Sequence, residues 1–261
     1  MIKYARPPGS PPMIAFAQNC EDVLIDRVFR KPSGFFIDVG ACHPVSESVT
    51  KHLSLLGWRG INIEPDPGMC EAHVADRPTD INLHCAAGAV AGQVTFHQLA
   101  NKFMSTTNAA HLDSLAKEIR ANSIPIQVPM RTLADIVAEF VTGEVDFLKI
   151  DAEGSEADVI AGADWTVFRP RLLVIEATKP WSSEPDWHAW EPVILAYDYR
   201  FAFFDGINRY YLRAEDRDLL EQLSVPVSVL DCYKPYREHW FQVRAHDLEN
   251  ELAALKAAHK L

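Results

Sequence analysis

Residues 35–44 have the sequence FFIDVGACHP, in which an apolar run ends at a glycine flanked by acidic and imidazole side chains. Continuous apolar runs of this kind are typical of strands buried on both faces of a parallel sheet. Ligands of open parallel sheets bind beyond the carboxyl ends of the strands, where a glycine lets a ligand approach the backbone. We therefore expect Asp38, Gly40 and Ala41 to form the floor of a pocket. The alternative is a plain turn with a solvated aspartate.

Strand-like and helix-like segments alternate on either side of this stretch, which indicates βαβ units. Two further segments, RFAFF and NRYYL, flank Asp205-Gly206 and predict an antiparallel hairpin. We therefore predict an α/β fold with a mostly parallel, Rossmann-like sheet, a terminal antiparallel hairpin and helices on both faces. The predicted parallel strands are 35–39, 60–64, 81–85, 145–150 and 172–176, and the predicted helices between them include 46–56, 67–75, 132–142 and one capped by Ser155. The alternating segment QVTFH (93–97) predicts a hairpin or an edge strand, and residues 101–130 are predicted to be a loop and a helix.

Length, charge and cysteine content exclude several classes of protein. With 261 residues, 48% of them hydrophobic, the chain is long enough for one large α/β domain or two small ones. The formal net charge of −11 predicts no nucleic-acid partner, because it repels phosphate backbones. Five cysteines without a CxxC pair favour a reducing compartment, so we expect a cytoplasmic protein. No apolar run is long enough to cross a bilayer, and peripheral membrane association stays open.

The two ends of the chain differ from the middle. Residues 1–15 include PPGSPP and are predicted to be an arm, because proline fixes φ and lacks an amide donor. Residues 16–239 are predicted to form the folded domain, and residues 240–261 a helix. Within that helix, leucines at 248, 252 and 255 predict either the start of a coiled coil, hence an oligomer or a larger assembly, or a surface helix packed on its own domain.

The second predicted strand indicates which ligand the pocket takes. It ends at Glu64, at the same sheet edge as Asp38, where an acidic side chain can accept hydrogen bonds from a ribose diol. This favours a cofactor that contains adenosine. The GxGxxG pattern that holds a pyrophosphate is absent, because Gly40 is followed by ACHP. An aspartate near the turn suits a ligand with an ammonium group, which S-adenosylmethionine has and NAD lacks.

Six motifs follow one another along the chain: QNCEDVL, GFFIDVGACHPVSESVT, GWRGINIEPDP, DFLKIDAEGSEADVIAGA, LLVIEAT and FAFFDGINRYYL. This ordered set resembles the FkbM family of S-adenosylmethionine-dependent methyltransferases, and the resemblance covers residues from about 16 to 213. The resemblance implies a class I methyltransferase fold with a seven-stranded sheet. It also implies O-methylation, commonly of sugar hydroxyls in natural products or bacterial surface polysaccharides. Cys20 departs from the pattern, since glycine is usual at this position.

The resemblance also implies cofactor contacts outside the first two strands. The segment that carries Gln18, Glu21 and Asp22 is expected to fold over the cofactor. Ala86 follows the third strand, where methyltransferases usually contact adenine through the backbone. Together with Asp38, Gly40, Ala41, Glu64 and Asp151, these residues form the predicted cofactor site.

Methyl transfer from a sulfonium requires an acceptor oxygen in line with the methyl group and a group that takes or shares its proton. Asp151 and Glu153 follow the strand in LKIDAEG, Glu176 ends LLVIE, and His43 lies in the first loop. We predict that Asp151 holds the cofactor's amino group or orients the acceptor. Glu153, Glu176 and His43 are candidate bases.

These side chains also have structural interpretations. Lys149 and Asp151 could form an ion pair at the strand end, Glu153 could cap the next helix, and His43 could bond locally. Asp151, Glu153 and Glu176 offer the oxygen ligands that Mg²⁺ prefers, so the need for a divalent metal stays open.

The predicted function is transfer of a methyl group from S-adenosylmethionine to a hydroxyl of a saccharide or glycan acceptor. The alternatives are methylation of a non-sugar small molecule and a non-catalytic interaction module with the same fold. Trp181, Trp187 and Trp190 could stack against a sugar or could seat a helix on the sheet.

Overall fold

The computed structural model describes residues 9–180 and 182–258. Its strands are β1 (Met13–Ala15), β2 (Phe35–Val39), β3 (Arg59–Ile63), β4 (Ile81–Leu83), β5 (Ala86–Ala87), β6 (Gly92–Gln98), β7 (Ile124–Arg131), β8 (Phe147–Ile150), β9 (Leu172–Glu176), β10 (Tyr199–Phe204), β11 (Asn208–Arg213) and β12 (Tyr233–Pro235). Its α-helices are α1 (Glu21–Phe29), α2 (Lys51–Leu56), α3 (Pro67–Asp76), α4 (Ala109–Ser114), α5 (Lys117–Ala121), α6 (Leu133–Phe140), α7 (Glu156–Ala161), α8 (Glu191–Ala196) and α9 (Tyr236–Ala258). Segments of 3-10 helix cover Lys102–Met104, Ala214–Leu223 and Val229–Asp231.

The largest sheet has seven strands in the order β10-β11-β9-β8-β2-β3-β4. Strands β2, β3, β4, β8 and β9 pair in parallel, whereas β11 runs antiparallel to both β9 and β10. The predicted α/β class with a mostly parallel sheet is therefore confirmed. The chain builds outward from β2 to β4 and then returns to β8 on the other side of β2. The switch point between β2 and β8 is where an open α/β sheet binds ligands.

The strands of this sheet direct alternate side chains into two separate cores. Ile37 and Leu173 belong to the core that includes residues of α6, α7 and α8. Phe36 and Leu172 belong to the opposite core, with residues of α1 and α2. Side chains of both parities are thus buried, which explains why the strands read as continuous apolar runs. Each fully buried large apolar side chain contributes about 1.5–3 kcal/mol.

A three-stranded sheet with the order β5-β7-β6 extends the fold where sequence predicted a loop and a helix over 101–130. Strand β6 contains the predicted edge segment QVTFH and pairs antiparallel with β7. Proline lacks a ladder donor, and Pro125 and Pro129 lie inside β7, which is why that strand was not expected. The short helices α4 and α5 precede it.

The loop before α2 is longer than predicted, since the helix begins at Lys51 and not near residue 46. The guanidinium of Arg77, which is 2% exposed, holds this loop from inside. It donates to the carbonyl of Pro44 at 2.5 Å, to Ser48 Oγ at 2.8 Å and to Thr50 Oγ1 at 2.5 Å. Buried charge-assisted bonds to this loop favour an extended path over another helical turn.

A segment near the start of the described chain pairs with the segment that precedes α9. Strand β1 pairs in parallel with β12, so 13–15, predicted as part of the arm, belong to the folded body. Residues 1–8 of that arm lie outside the described residues. Helix α9 begins at Tyr236, earlier than the predicted boundary at 240. Among the described helices, none is long and apolar enough to cross a membrane.

Candidate active site

A cavity of about 700 Å³ opens at the carboxyl ends of β2, β3, β8 and β9. Eight of the nine residues predicted to bind the cofactor line it, namely Gln18, Glu21, Asp38, Gly40, Ala41, Glu64, Ala86 and Asp151. Glu153 and Glu176, which are predicted catalytic residues like Asp151, line the same cavity. Segments from both halves of the sheet therefore converge on one space.

Gly40 allows the loops after β2 and β8 to approach each other. Its φ of +71° lies in the left-handed region, and a Cβ placed there would lie 1.8 Å from the carbonyl oxygen of Asp151. The amides of Gly40 and Ala41 donate to the carbonyl of Ile63 at 3.0 and 3.2 Å. Glycine at this position is thus required by both backbone conformation and space.

Glu64 is held at the cavity wall by the backbone. Its Oε2 accepts from the amide of Cys42 at 2.7 Å, and its Oε1 accepts from the amide of Asp66 at 2.7 Å. Burial raises its pKa to about 7, against the effect of these two bonds. Each carboxylate oxygen can accept a second bond, so Glu64 could receive both hydroxyls of a ribose diol.

Lys149 connects β8 to β2. Its Nζ donates to the carbonyl of Gly40 at 2.8 Å and lies 3.4 Å from Asp38 Oδ1 and 3.3 Å from Asp151 Oδ2. Burial disfavours the charged form, but the two aspartates outweigh it and raise the pKa of Lys149. The predicted alternative of an ion pair at the strand end is present. Asp38 also accepts from Thr50 Oγ1 at 3.2 Å, so it orients neighbouring groups as well as facing the cavity.

In the loop after β8, Glu153 does not take the capping role offered as its structural interpretation, and Glu156, for which no role was predicted, contacts the loop instead. Glu153 has a φ of +50°, and its Oε2 is buried without a hydrogen-bond partner among the described residues. It does not cap the next helix, and Ser155 makes no side-chain cap bond either. Instead, Glu156 reaches back to accept from the amides of Ala152 at 2.7 Å and Gly154 at 3.2 Å.

Burial raises the pKa values of three neighbouring glutamates, Glu153, Glu156 and Glu176. Burial, followed by repulsion from Asp151 and Glu156, raises the pKa of Glu153 to about 9. Burial raises the pKa of Glu156 to about 7. Burial and then Asp151, Glu156 and Glu153 raise the pKa of Glu176 well above its ordinary value. The group thus has a higher affinity for protons than ordinary carboxylates.

Three of these carboxylates lie close enough to hold a cation. One oxygen from each of Asp151, Glu156 and Glu176 lies within 4.8 Å of the others. The set differs from the predicted Asp151, Glu153 and Glu176, because Glu156 replaces Glu153. The Oε2 atom of Glu176 is buried and finds no hydrogen-bond partner in the described part of the chain. Oxygen ligands of this kind suit Mg²⁺.

The first turn of α1 contributes one carboxylate to the cavity and another that binds backbone amides. Glu21 is 6% exposed, accepts from Asn208 Nδ2 at 2.9 Å, and has its pKa raised to about 7 by burial and then by Asp205. Asp22 does not line the cavity. It accepts from the amides of Phe16 at 2.7 Å and Val23 at 2.9 Å, so its predicted cofactor contact is corrected to a structural role.

His43, Trp187 and Trp190 do not line the cavity either. The Nδ1 of His43 accepts from the amides of Val45 and Ser46, both at 3.0 Å, so the predicted base is corrected to a local loop contact. Trp190 is 2% exposed and packs edge-on against Tyr211, and Trp187 packs against Phe204. Both seat a helix on the sheet, and Trp181 lies outside the described residues.

One wall of the cavity was not predicted from the sequence. The segment that connects β6 to α4 lines it with a cation, an aromatic ring and hydroxyls. Thr106 Oγ1 donates to the carbonyl of Glu153 at 2.8 Å, which joins this segment to the acidic loop. The missed lining residues are Phe96, Asn101, Lys102, Phe103, Ser105, Thr106, Thr107, Thr178, Ser182, Ser183 and Asn208. Thr178 and Asn208 lie inside the quoted motifs LLVIEAT and FAFFDGINRYYL, whereas the lining residues between 101 and 107 and at 182 and 183 lie outside every motif.

Comparison with known families agrees with this geometry. A search of curated protein sequences finds no significant match. A model of the methyltransferase FkbM domain matches residues 38–201, which are more than half of the chain and carry Gly40, Glu64, Asp151 and Glu176. The chain therefore belongs to the FkbM methyltransferase family.

Proposed function

We propose that the protein is an S-adenosylmethionine-dependent O-methyltransferase that acts on a hydroxyl of a saccharide or of a natural product that bears one, in the cytoplasm. The observation that carries this proposal is the meeting of Glu64, Asp151 and Glu176 around one cavity. Family membership supports methyl transfer, and the antiparallel β11, which lies between β9 and β10 in an otherwise parallel sheet, agrees with the implied class I methyltransferase fold.

The residues present fit the cofactor. S-adenosylmethionine, when bound, supplies a methyl group on a sulfonium that an oxygen can attack. Glu64 offers two oriented acceptors for a ribose diol, and Gly40 keeps the floor of the cavity free of a Cβ. The side chain of Asp151 is 36% exposed and that of Asp38 only 2%. Asp151 is thus the better placed of the two to accept from the cofactor's ammonium group, while Asp38 orients Lys149.

We assign removal of the acceptor's proton to the carboxylates at the ends of β8 and β9. An ordinary carboxylate is a weak base near neutral pH, and burial strengthens it by raising its pKa. Glu176 has such a pKa and a buried oxygen without a partner among the described residues. We assign it as the residue that accepts the hydroxyl proton, with Glu153 beside it.

The saccharide class is supported by the mixed character of the cavity wall. Phe96 and Phe103 supply apolar faces, while Thr178, Ser182 and Asn208 supply donors and acceptors. Apolar faces with a few convergent polar groups suit sugars, which present C–H surfaces beside hydroxyls.

The test is mass spectrometry of candidate glycans and small-molecule alcohols incubated with the protein and S-adenosylmethionine. We expect the mass of one methyl group on a saccharide hydroxyl. Glu176→Gln should bind S-adenosylhomocysteine as tightly as the wild type in calorimetry but lose methylation. Methylation of non-sugar alcohols alone would show that the acceptor is not a saccharide. Absence of S-adenosylhomocysteine binding would overturn the enzymatic proposal.

A further inference from the structure

Helix α9 leaves the folded body soon after it begins. Its first residue, Tyr236, stacks on Phe16 with ring centroids 4.7 Å apart. Beyond this anchor, every described side chain from 241 to 256 is exposed. Most of the stability of helices in proteins comes from packing of an apolar face and not from helix propensity, so an exposed helix gains stability from a partner.

One face of the exposed helix carries a heptad pattern. Phe241, Ala245, Leu248, Leu252 and Leu255 follow one another at spacings of 4, 3, 4 and 3 residues, which places them alternately at positions d and a. The four large side chains among them are between 47% and 58% exposed. They form one stripe, which we call the α9 seam.

The charges that flank the α9 seam complement those of a second, parallel copy. Arg244 and Glu251 occupy position g, whereas Glu249 and Lys256 occupy position e. In a parallel two-stranded coiled coil, position g of one helix faces position e of the next heptad in its partner, five residues later. Arg244 then meets Glu249, and Glu251 meets Lys256, so both kinds of contact are attractive and each occurs twice by symmetry.

Within one chain, Arg244 already lies 3.4 Å from Glu251. The two side chains are 49% and 60% exposed. Exposed pairs contribute only about 0–1 kcal/mol, so this contact does not prevent exchange for contacts across a dimer.

We propose that α9 pairs with α9 of a second copy of this chain as a parallel two-stranded coiled coil along the α9 seam. A membrane surface fits the helix less well, because Asp247, Glu249 and Glu251 place negative charge in its middle, whereas helices that bind anionic lipid are rich in lysine and arginine. The inference concerns assembly and does not depend on the proposed methyl transfer.

The first experiment is sedimentation velocity of the full chain over a wide range of protein concentration. We expect a monomer on dilution and a dimer at high concentration. Leu252→Lys should raise the dimer dissociation constant by at least about tenfold, because it places a charge in the seam. Thermal unfolding of the body should not change. A wild-type chain that stays monomeric at all concentrations, or a dimer that Leu252→Lys leaves intact, would overturn the proposal.

The second experiment uses charge reversal to test orientation and partner. Arg244→Glu alone places two acids opposite each other, and Glu249→Lys alone places two bases opposite each other, so each variant should dimerise more weakly than the wild type. An equimolar mixture of the two restores opposite charges at both contacts and should form a heterodimer. A mixture that associates no better than its components contradicts the parallel pairing. Co-sedimentation of either variant with vesicles of anionic lipid measures membrane binding separately from self-association.

Discussion

The Nζ atom of Lys149 lies 3.4 Å from Oδ1 of Asp38, and both side chains are at least 92% buried. The pair joins β8 to β2 at the switch point of the sheet, where both residues line the cavity. A charge that is buried beside its partner is tolerated only while the partner is present. The same lysine also lies beside Asp151, so the positions of the two aspartates at the cavity depend on one ammonium group.

Lys149→Met is expected to lower the free energy of unfolding by about 3–5 kcal/mol, because it leaves Asp38 buried without its cation. Urea denaturation measures this loss. Adding Asp38→Asn to Lys149→Met removes the uncompensated charge, so the double variant should be more stable than Lys149→Met alone. A single variant as stable as the wild type contradicts this account of the pair.

Gly40→Ala is expected to destabilise the fold and abolish binding of S-adenosylhomocysteine. The new Cβ would meet the carbonyl of Asp151 at 1.8 Å, and the left-handed φ alone costs about 1–2 kcal/mol. Gly143→Ala is the matched control, because nothing lies within 4 Å of its Cβ and its φ is not in the left-handed region. Denaturation and calorimetry should leave the control within about 0.5 kcal/mol of the wild type.

Glu64→Ala is expected to weaken binding of S-adenosylhomocysteine by about 1.5–3 kcal/mol, the typical contribution of hydrogen bonds to a charged group. Calorimetry measures the change. Glu71→Ala removes an exposed glutamate from α3, close in sequence, and should leave affinity unaltered. Unchanged affinity in a folded Glu64→Ala variant would remove this residue from the cofactor site.

The stability of the ligand-free protein should depend on pH through Glu176. Its pKa in the folded state is raised above the ordinary value of 4.5 by burial and then by Asp151 and its neighbours. The folded state therefore binds more protons than the unfolded state above pH 4.5, and the contribution of Glu176 to stability is lost as pH rises toward its folded pKa. Glutamine does not titrate. Urea denaturation should thus show Glu176→Gln gaining on the wild type from pH 5 to pH 8, and a constant difference contradicts the raised pKa.

The main sheet could be predicted because its strands are buried on both faces and so carry unbroken apolar runs. Strand β7 could not, since Pro125 and Pro129 interrupt a pattern that only its pairing with β6 stabilises. The pairing of β1 with β12 joins residues far apart in sequence, which no local pattern reports.

The residues of the candidate site also divide into those that could be predicted from the sequence and those that could not. Gly40 and Glu64 follow directly from their positions at strand ends. Glu156 was missed in favour of Glu153 because the left-handed turn at Glu153 lets the later glutamate reach back to the loop amides. The roles of Trp187 and Trp190 could not be predicted, because aromatic residues near a strand end do not show which face of the next helix is buried.

The contact between Arg27 and Asp231 connects α1 to the segment that leads into β12 and α9. The guanidinium and the carboxylate lie 3.3 Å apart, with side chains 1% and 2% exposed, and Arg27 also donates to the carbonyl of Val225 at 2.7 Å. Asp231→Ala should therefore destabilise the protein by about 3–5 kcal/mol, because it leaves a buried guanidinium without its carboxylate. Asp218→Ala, an exposed aspartate in the neighbouring 3-10 segment, is the control and should change stability by less than about 0.5 kcal/mol. Equal denaturation midpoints for the two variants would show that the buried pair does not fasten the carboxyl-terminal segment to the body.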